Sequence, residues 1–295
     1  LPWFGEALAL AAAVCWSVAV ILFRVSGQHV APLALNQFKN VLALVLFTLT
    51  LVVTGEPFLR DVPRSDYVLL LVSGAIGIGL SDTFFFLCLN RIGAGLQAIV
   101  ATSYSPVIIL LSVFWLGERL TPLQASGAAL IVGAVLAVST VRDRSPHSGL
   151  SQRATGILFG IAATATQGVS IVMIKSQLET MPLVWATWWR IVGGMIAVTV
   201  LLAFLPAQRR ALHDLRDLRA WKTMVPGSVM GTYVALLFWI GGMKYTLASI
   251  AAALNQTSSL WTFALAVLLL HEPYTRRRVV GLVLGFAGVL MITWR

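Results

Sequence analysis

The sequence predicts an all-α membrane protein with ten transmembrane helices, arranged as two inverted five-helix repeats. Three observations carry this expectation. Of 295 residues, 58% are hydrophobic and only 11% charged, with a mean hydropathy of +0.88. Soluble domains carry about 25% charged residues, so this chain lacks the charge to cover a water-facing surface and must face lipid. Apolar runs of roughly 20 residues, the length a ~30 Å hydrocarbon core requires, follow one another along the chain. Finally, residues 94–140 recur without a gap as residues 248–294. Glu118 and Thr121 align with Glu272 and Thr275, and Gly127, Leu130, Val135 and Leu136 align with Gly281, Leu284, Val289 and Leu290.

In order, the spans are expected at residues 3–23, 33–53, 67–89, 95–116, 122–140, 155–174, 183–205, 221–243, 247–270 and 278–294. They are too long and too rich in Ala, Leu and Gly to be strands of an outer-membrane barrel, which alternate over ~10 residues. Breaks fall at Gly55-Glu56-Pro57, Arg91-Ile92-Gly93 and Leu205-Pro206, where Gly and Pro interrupt the apolar pattern. Residues 142–154 read as a polar linker between a first repeat, residues 1–141, and a second, residues 155–295. Residues 206–220, with Arg209, Arg210, Arg216 and Arg219 beside Asp214 and Asp217, suggest a short surface helix. Because five is odd, the second copy enters the membrane from the opposite side, and a site between the copies can face either side in turn.

A net charge of +10 would suggest nucleic acid in a soluble protein. Here the charges sit in short loops, where they set orientation instead. Thirteen Lys and Arg follow the odd-numbered spans and six lie on the other side, which places both termini outside. Cys15 and Cys88 lie within apolar runs and read as packing residues. No cleavable leader stands apart from the first span.

Leu116-Gly117-Glu118-Arg119-Leu120-Thr121 followed by Gly127 and Gly133, with His271-Glu272-Pro273 and Gly281, Gly285 and Gly288 in the second copy, resembles the drug/metabolite transporter superfamily, specifically its EamA-type members. The aromatic spans are similar to those of YddG-type exporters of aromatic amino acids. The resemblance implies ten helices and export of amino acids, drugs, sugars or other metabolites. It also implies cytoplasmic termini, opposite to the charge count.

Polar groups in hydrocarbon are costly unless paired or wet, so they mark candidate cavity residues. In the fourth span Gln97 and Tyr104 share a helical stripe. The repeat register maps Ala101 and Tyr104 onto Asn255 and Ser258. Trp16 lies mid-span rather than at the interface where Trp usually anchors, and its repeat mate is Gln167. Trp188 is also inside a span. These residues either wall a pocket for a flat ligand or pack helices. Lys39 and Arg190 correspond between the halves. Each is placed to snorkel to the interface or to hold a substrate carboxylate. Asp82 is the one acid well inside a span, placed to pair with Arg91 or Lys39 or to take part in proton coupling. Glu118 and Glu272, at helix ends, read as capping or loop-pairing groups. Pro106 should kink the fourth span and serve as a hinge.

No Ser–His–Asp or metal-ligand spacing appears, and Gly77-Ile78-Gly79 lacks the strand that a nucleotide loop needs. No cofactor, metal or nucleic acid is expected. A membrane enzyme would cluster His and Asp at one interface, and a channel would carry a ring of like charges. The expected function is a secondary carrier, an exporter of small amphipathic metabolites, with aromatic or hydrophobic amino acids the best guess. Drugs, nucleosides or sugars are the alternative substrates. The expected partners are the bilayer and a small-molecule substrate, a monomer suffices, and the expected location is a bacterial inner membrane.

Overall fold

The computed structural model describes residues 3–107, 110–111, 121–139, 150–174, 177, 180–205, 209–245 and 254–294. Among them the regular structure is entirely helical: α1 (Phe4–Ser26), α2 (Pro32–Thr54), α3 (Arg64–Gly74), α4 (Ser81–Ala101), α5 (Pro122–Ser139), α6 (Leu150–Val172), α7 (Leu183–Phe204), α8 (Leu218–Ser228), α9 (Ala235–Tyr245), α10 (Ser258–Leu270) and α11 (Arg276–Thr293). Among the described residues six helical stretches are long and apolar enough to cross a membrane, and two shorter apolar helices accompany them. Large apolar side chains such as Val53, Leu49 and Leu158 stay exposed along the outside, which is the surface that lipid covers.

The stretch Arg64–Ala101 has 38 residues. As one straight helix it would rise about 57 Å, nearly twice the hydrocarbon core. Gly93 resolves this. Its φ of 81° breaks the helix, so the chain makes two passes where the sequence placed its third and fourth spans. Only Gly adopts that conformation without a Cβ penalty. The fourth pass is interrupted again by turns at Thr102 and Ser103, just before Pro106, whose missing N–H cannot continue the helix. α6 starts at Leu150, inside the stretch expected to be linker. Polarity there marks where the chain leaves the hydrocarbon, not where the helix begins.

Two π turns interrupt the bundle, at Ala75–Leu80 between α3 and α4 and at Val229–Val234 between α8 and α9. They are separated by the same offset as Glu118 and Glu272. In each, a glycine presses on a crossing helix. A Cβ on Gly77 would meet Ser170 and Gln167 of α6, and one on Gly231 would meet Ala19 and Trp16 of α1. Ala19 and Trp16 are the residues that the register pairs with Ser170 and Gln167. Helix contacts follow the same exchange. α1 packs on α8, α9 and the second π turn, while α6 packs on α4 and the first π turn. α7 packs on α3 and the first π turn, and α2 on α8 and the second. α2 lies on α7, α4 on α10 and α5 on α11. The small-residue contacts include Gly127, whose Cβ would lie 2.8 Å from the Gly288 carbonyl, but not Gly133, which faces open space.

Glu272 caps the fourth pass from across the bundle. Its Oε1 accepts from the Ala94 N–H at 2.8 Å and its Oε2 from the Gly95 N–H at 2.9 Å. Arg24 stands 3.7 Å from Oε1 and donates to the carbonyls of Leu89 and Asn90. The carboxylate thus meets the positive end of a helix dipole and two N–H groups that have no helical partner. Glu118, its repeat mate, lies outside the described residues. Glu272→Gln should destabilise the protein by about 1–2 kcal/mol, read from denaturant unfolding in detergent. Unchanged unfolding would remove the cap from the account.

Candidate binding site

α2 presents Asn36, Lys39 and Asn40 on one face, at i, i+3 and i+4, and all three are buried. The opposing wall is the first π turn and the start of α4. Asn36 Nδ2 donates to the carbonyls of Ile78 and Gly79, at 3.2 and 3.0 Å, and to Thr83 Oγ1 at 3.0 Å. A π turn shifts the carbonyl register, so carbonyls that an α-helix would satisfy internally need side-chain donors. Asn40 Nδ2 donates to Asn36 Oδ1, and Lys39 Nζ donates to Asn40 Oδ1 at 3.0 Å. Lys39 Nζ also meets Asp82 Oδ2 at 2.6 Å. Of the partners expected for Asp82, Lys39 is therefore the one it takes. Arg91 instead lies over the Phe159 ring, 4.7 Å from its centroid.

Arg190 enters the same region from α7. It is 8% exposed. Its Nε donates to Ser73 Oγ at 3.1 Å and its Nη2 to Ser170 Oγ at 3.0 Å. Ser73 and Ser170 in turn donate to each other's backbone carbonyls, at 2.9 and 2.8 Å. This double bridge locks α3 to α6 beneath the guanidinium. Among the described residues no carboxylate forms an ion pair with Arg190, and its Nη1 has no hydrogen-bond partner. Among the described residues Asp82 pairs with Lys39, and no second acid pairs with Arg190. A buried cation is costly unless something neutralises it.

The other predicted residues divide into groups. Gln167 lies one turn from Ser170 and faces Gly77, so it joins the Arg190 cluster. Gln97 is buried two turns before Tyr104 on the fourth pass. Trp16 packs on Phe85 at 5.8 Å. Its neighbour Ser17 donates to the Ser258 carbonyl at 3.0 Å, which places Ser258 against α1; Asn255 lies three residues before it. Asn255 is half-buried and makes no hydrogen bond among the described residues. Trp188 stands apart. Two residues from Arg190, it points to the other side of α7, where Nε1 donates to Thr48 Oγ1 at 2.8 Å and the ring packs on Phe58 and Trp189. Among the described residues no group of His, Cys, Asp and Glu could hold a metal ion.

Ser73, Ser170, Asn36, Asn40 and Thr83 were not singled out by sequence. The i, i+3, i+4 spacing of Asn36, Lys39 and Asn40 is the signal that marks the α2 face. Nothing local marks Ser73 or Ser170, since hydroxyls in apolar spans usually bond to their own helix.

The comparisons agree with this architecture. A solved crystal structure superposes over 97% of this chain and 95% of its own with a TM-score of 0.63, at 19% identity, which speaks for the fold. A protein of Archaeoglobus fulgidus named an uncharacterized transporter is 23% identical over 277 residues, covering 94% of each chain. A chloroplastic WAT1-related protein of Arabidopsis thaliana is 19% identical over 285 residues, covering 95% of this chain and 67% of its own. The model of the EamA-like transporter family matches residues 3–140 and again residues 154–294. With nearly its whole length matched, each half separately, this multi-pass membrane protein belongs to the EamA-like transporter family.

Proposed function

We propose that this protein is a secondary carrier that exports small amphipathic carboxylates, aromatic or hydrophobic amino acids first among them, by alternating access between two inverted repeats. The observation that carries the reading is Arg190, a buried guanidinium held by two serines and, among the described residues, paired with no acid. A substrate carboxylate supplies the missing charge through charge-assisted hydrogen bonds. Tyr104, Gln97 and Gln167 offer neutral polar contacts around it, and Trp16, with Asn255 and Ser258 opposite, walls the apolar part of the ligand. Trp188 supports the far side of α7 by packing. Pro106 and the turns before it provide a hinge, so the fourth pass rocks between outward and inward states. The membrane is proposed to be a bacterial plasma membrane, although the relatives above come from an archaeon and a plant chloroplast.

Asp82 is already engaged by Lys39, so a substrate ammonium finds no free acid beside Arg190. The carboxylate should therefore matter more than the ammonium. In liposomes taking up labelled phenylalanine, 3-phenylpropionate should compete within about three-fold of phenylalanine, and phenethylamine at least ten-fold more weakly, the loss of one charged hydrogen-bonding contact. Equal competition by phenethylamine would reject the carboxylate site. If nucleosides or sugars competed and none of these compounds did, the alternative substrate classes would replace the proposal.

A further inference from the structure

A second polar site lies at the membrane edge. Leu205 ends α7, and the chain resumes in a short 3-10 helix, Ala211–Arg216. The helix is amphipathic. Leu212 and Leu215 pack inward against apolar clusters that include Leu33, Val198 and Met224. Arg209, Arg210, His213 and Arg216 turn outward and, with Leu212, line an open surface hollow of about 480 Å³. The segment is tied down in its second half. Asp214 accepts from the Ala31 N–H at 3.3 Å, and Trp221 Nε1 donates to the Leu215 carbonyl at 2.8 Å.

The three arginines have no ion-pair partner among the described residues. The nearby acids are used on backbone: Asp214 on Ala31 and Asp217 on the N–H of Arg219. Three guanidinium groups around one hollow make a concentrated positive patch that attracts a phosphate. Beside the hollow stand exposed apolar side chains, Phe204 at 80% and Leu218 at 73%, with Trp221 between α8 and solvent. Phe38 packs edge-on against Trp221. A soluble anion leaves that surface bare, whereas an anionic phospholipid fills both parts, its phosphate among the arginines and its acyl chains along the apolar residues.

We infer that Arg209, Arg210 and Arg216 form a binding site for the phosphate headgroup of an anionic membrane lipid, separate from the Arg190 region. The test uses the full chain, purified and delipidated, with equal amounts of dioleoyl phosphatidylglycerol and phosphatidylcholine, and native mass spectrometry as the readout. Wild type should retain phosphatidylglycerol with about ten-fold preference, in line with the attraction of basic residues for anionic lipid. R209Q/R210Q/R216Q should lose most of that preference, and R209K/R210K/R216K should keep most of it. R276Q/R277Q, which removes exposed charge elsewhere, should match wild type. Excess glycerol 1-phosphate should not displace the lipid from wild type, a measurement that stands even if the Gln variant misfolds. No preference in wild type, an equal loss in R276Q/R277Q, or displacement by glycerol 1-phosphate would overturn the site, the last by showing a soluble-anion site instead.

Discussion

Arg190→Ala is expected to cut carboxylate transport by about 10- to 100-fold while leaving the protein folded and inserted. The estimate is the loss of hydrogen bonds to a charged group, roughly 1.5–3 kcal/mol. Folding should tolerate the change because Ser73 and Ser170 still bridge α3 and α6 through each other's carbonyls. Arg190→Lys should restore little. A lysine keeps the charge but is a shorter point charge without the planar fork that holds the guanidinium across the two serines. Initial rates in liposomes, normalised to inserted protein, are the measurement. Wild-type rates in Arg190→Ala would mean that the guanidinium is a packing group.

The second large effect concerns stability. Lys39 is 4% exposed and its ammonium rests on Asp82 and Asn40. Asp82→Ala leaves that cation buried with one neutral acceptor, and breaking a buried pair from one side costs about 3–5 kcal/mol. Removing both charges together, as in Lys39→Met with Asp82→Leu, should recover most of the loss, since apolar replacements of buried pairs are often neutral. Unfolding in detergent for both singles and the double gives the coupling directly. A single Asp82→Ala variant as stable as wild type would show that solvent reaches the pair.

Much of the architecture was legible because it repeats in a hydrophobic register. The passes, the break at Gly93 and the capping role of Glu272 all follow from runs of apolar residues and the residues that interrupt them. Lys39 and Arg190 stood out because charge within a span is expensive. The π turns at Ala75–Leu80 and Val229–Val234 were not legible. One residue more per turn changes neither composition nor mean hydropathy, yet it frees the carbonyls that Asn36 binds. The Ser73–Ser170 bridge was hidden for a related reason. Serine in a span is satisfied by its own helix unless a neighbour at close range competes, and that neighbour lies 97 residues away. Trp188 shows another limit: depth in a span does not say which neighbours a ring meets, and its Nε1 bonds to Thr48 while the ring packs on Phe58 and Trp189.

Counterflow decides most directly whether the two exchanged halves work as a carrier. Liposomes preloaded with unlabelled phenylalanine are diluted into a trace of labelled phenylalanine. The account predicts a transient internal accumulation of label above its external concentration, saturable and absent from Arg190→Ala liposomes. Label that only equilibrates, at a rate indifferent to preloading, would contradict alternating access and point to a channel.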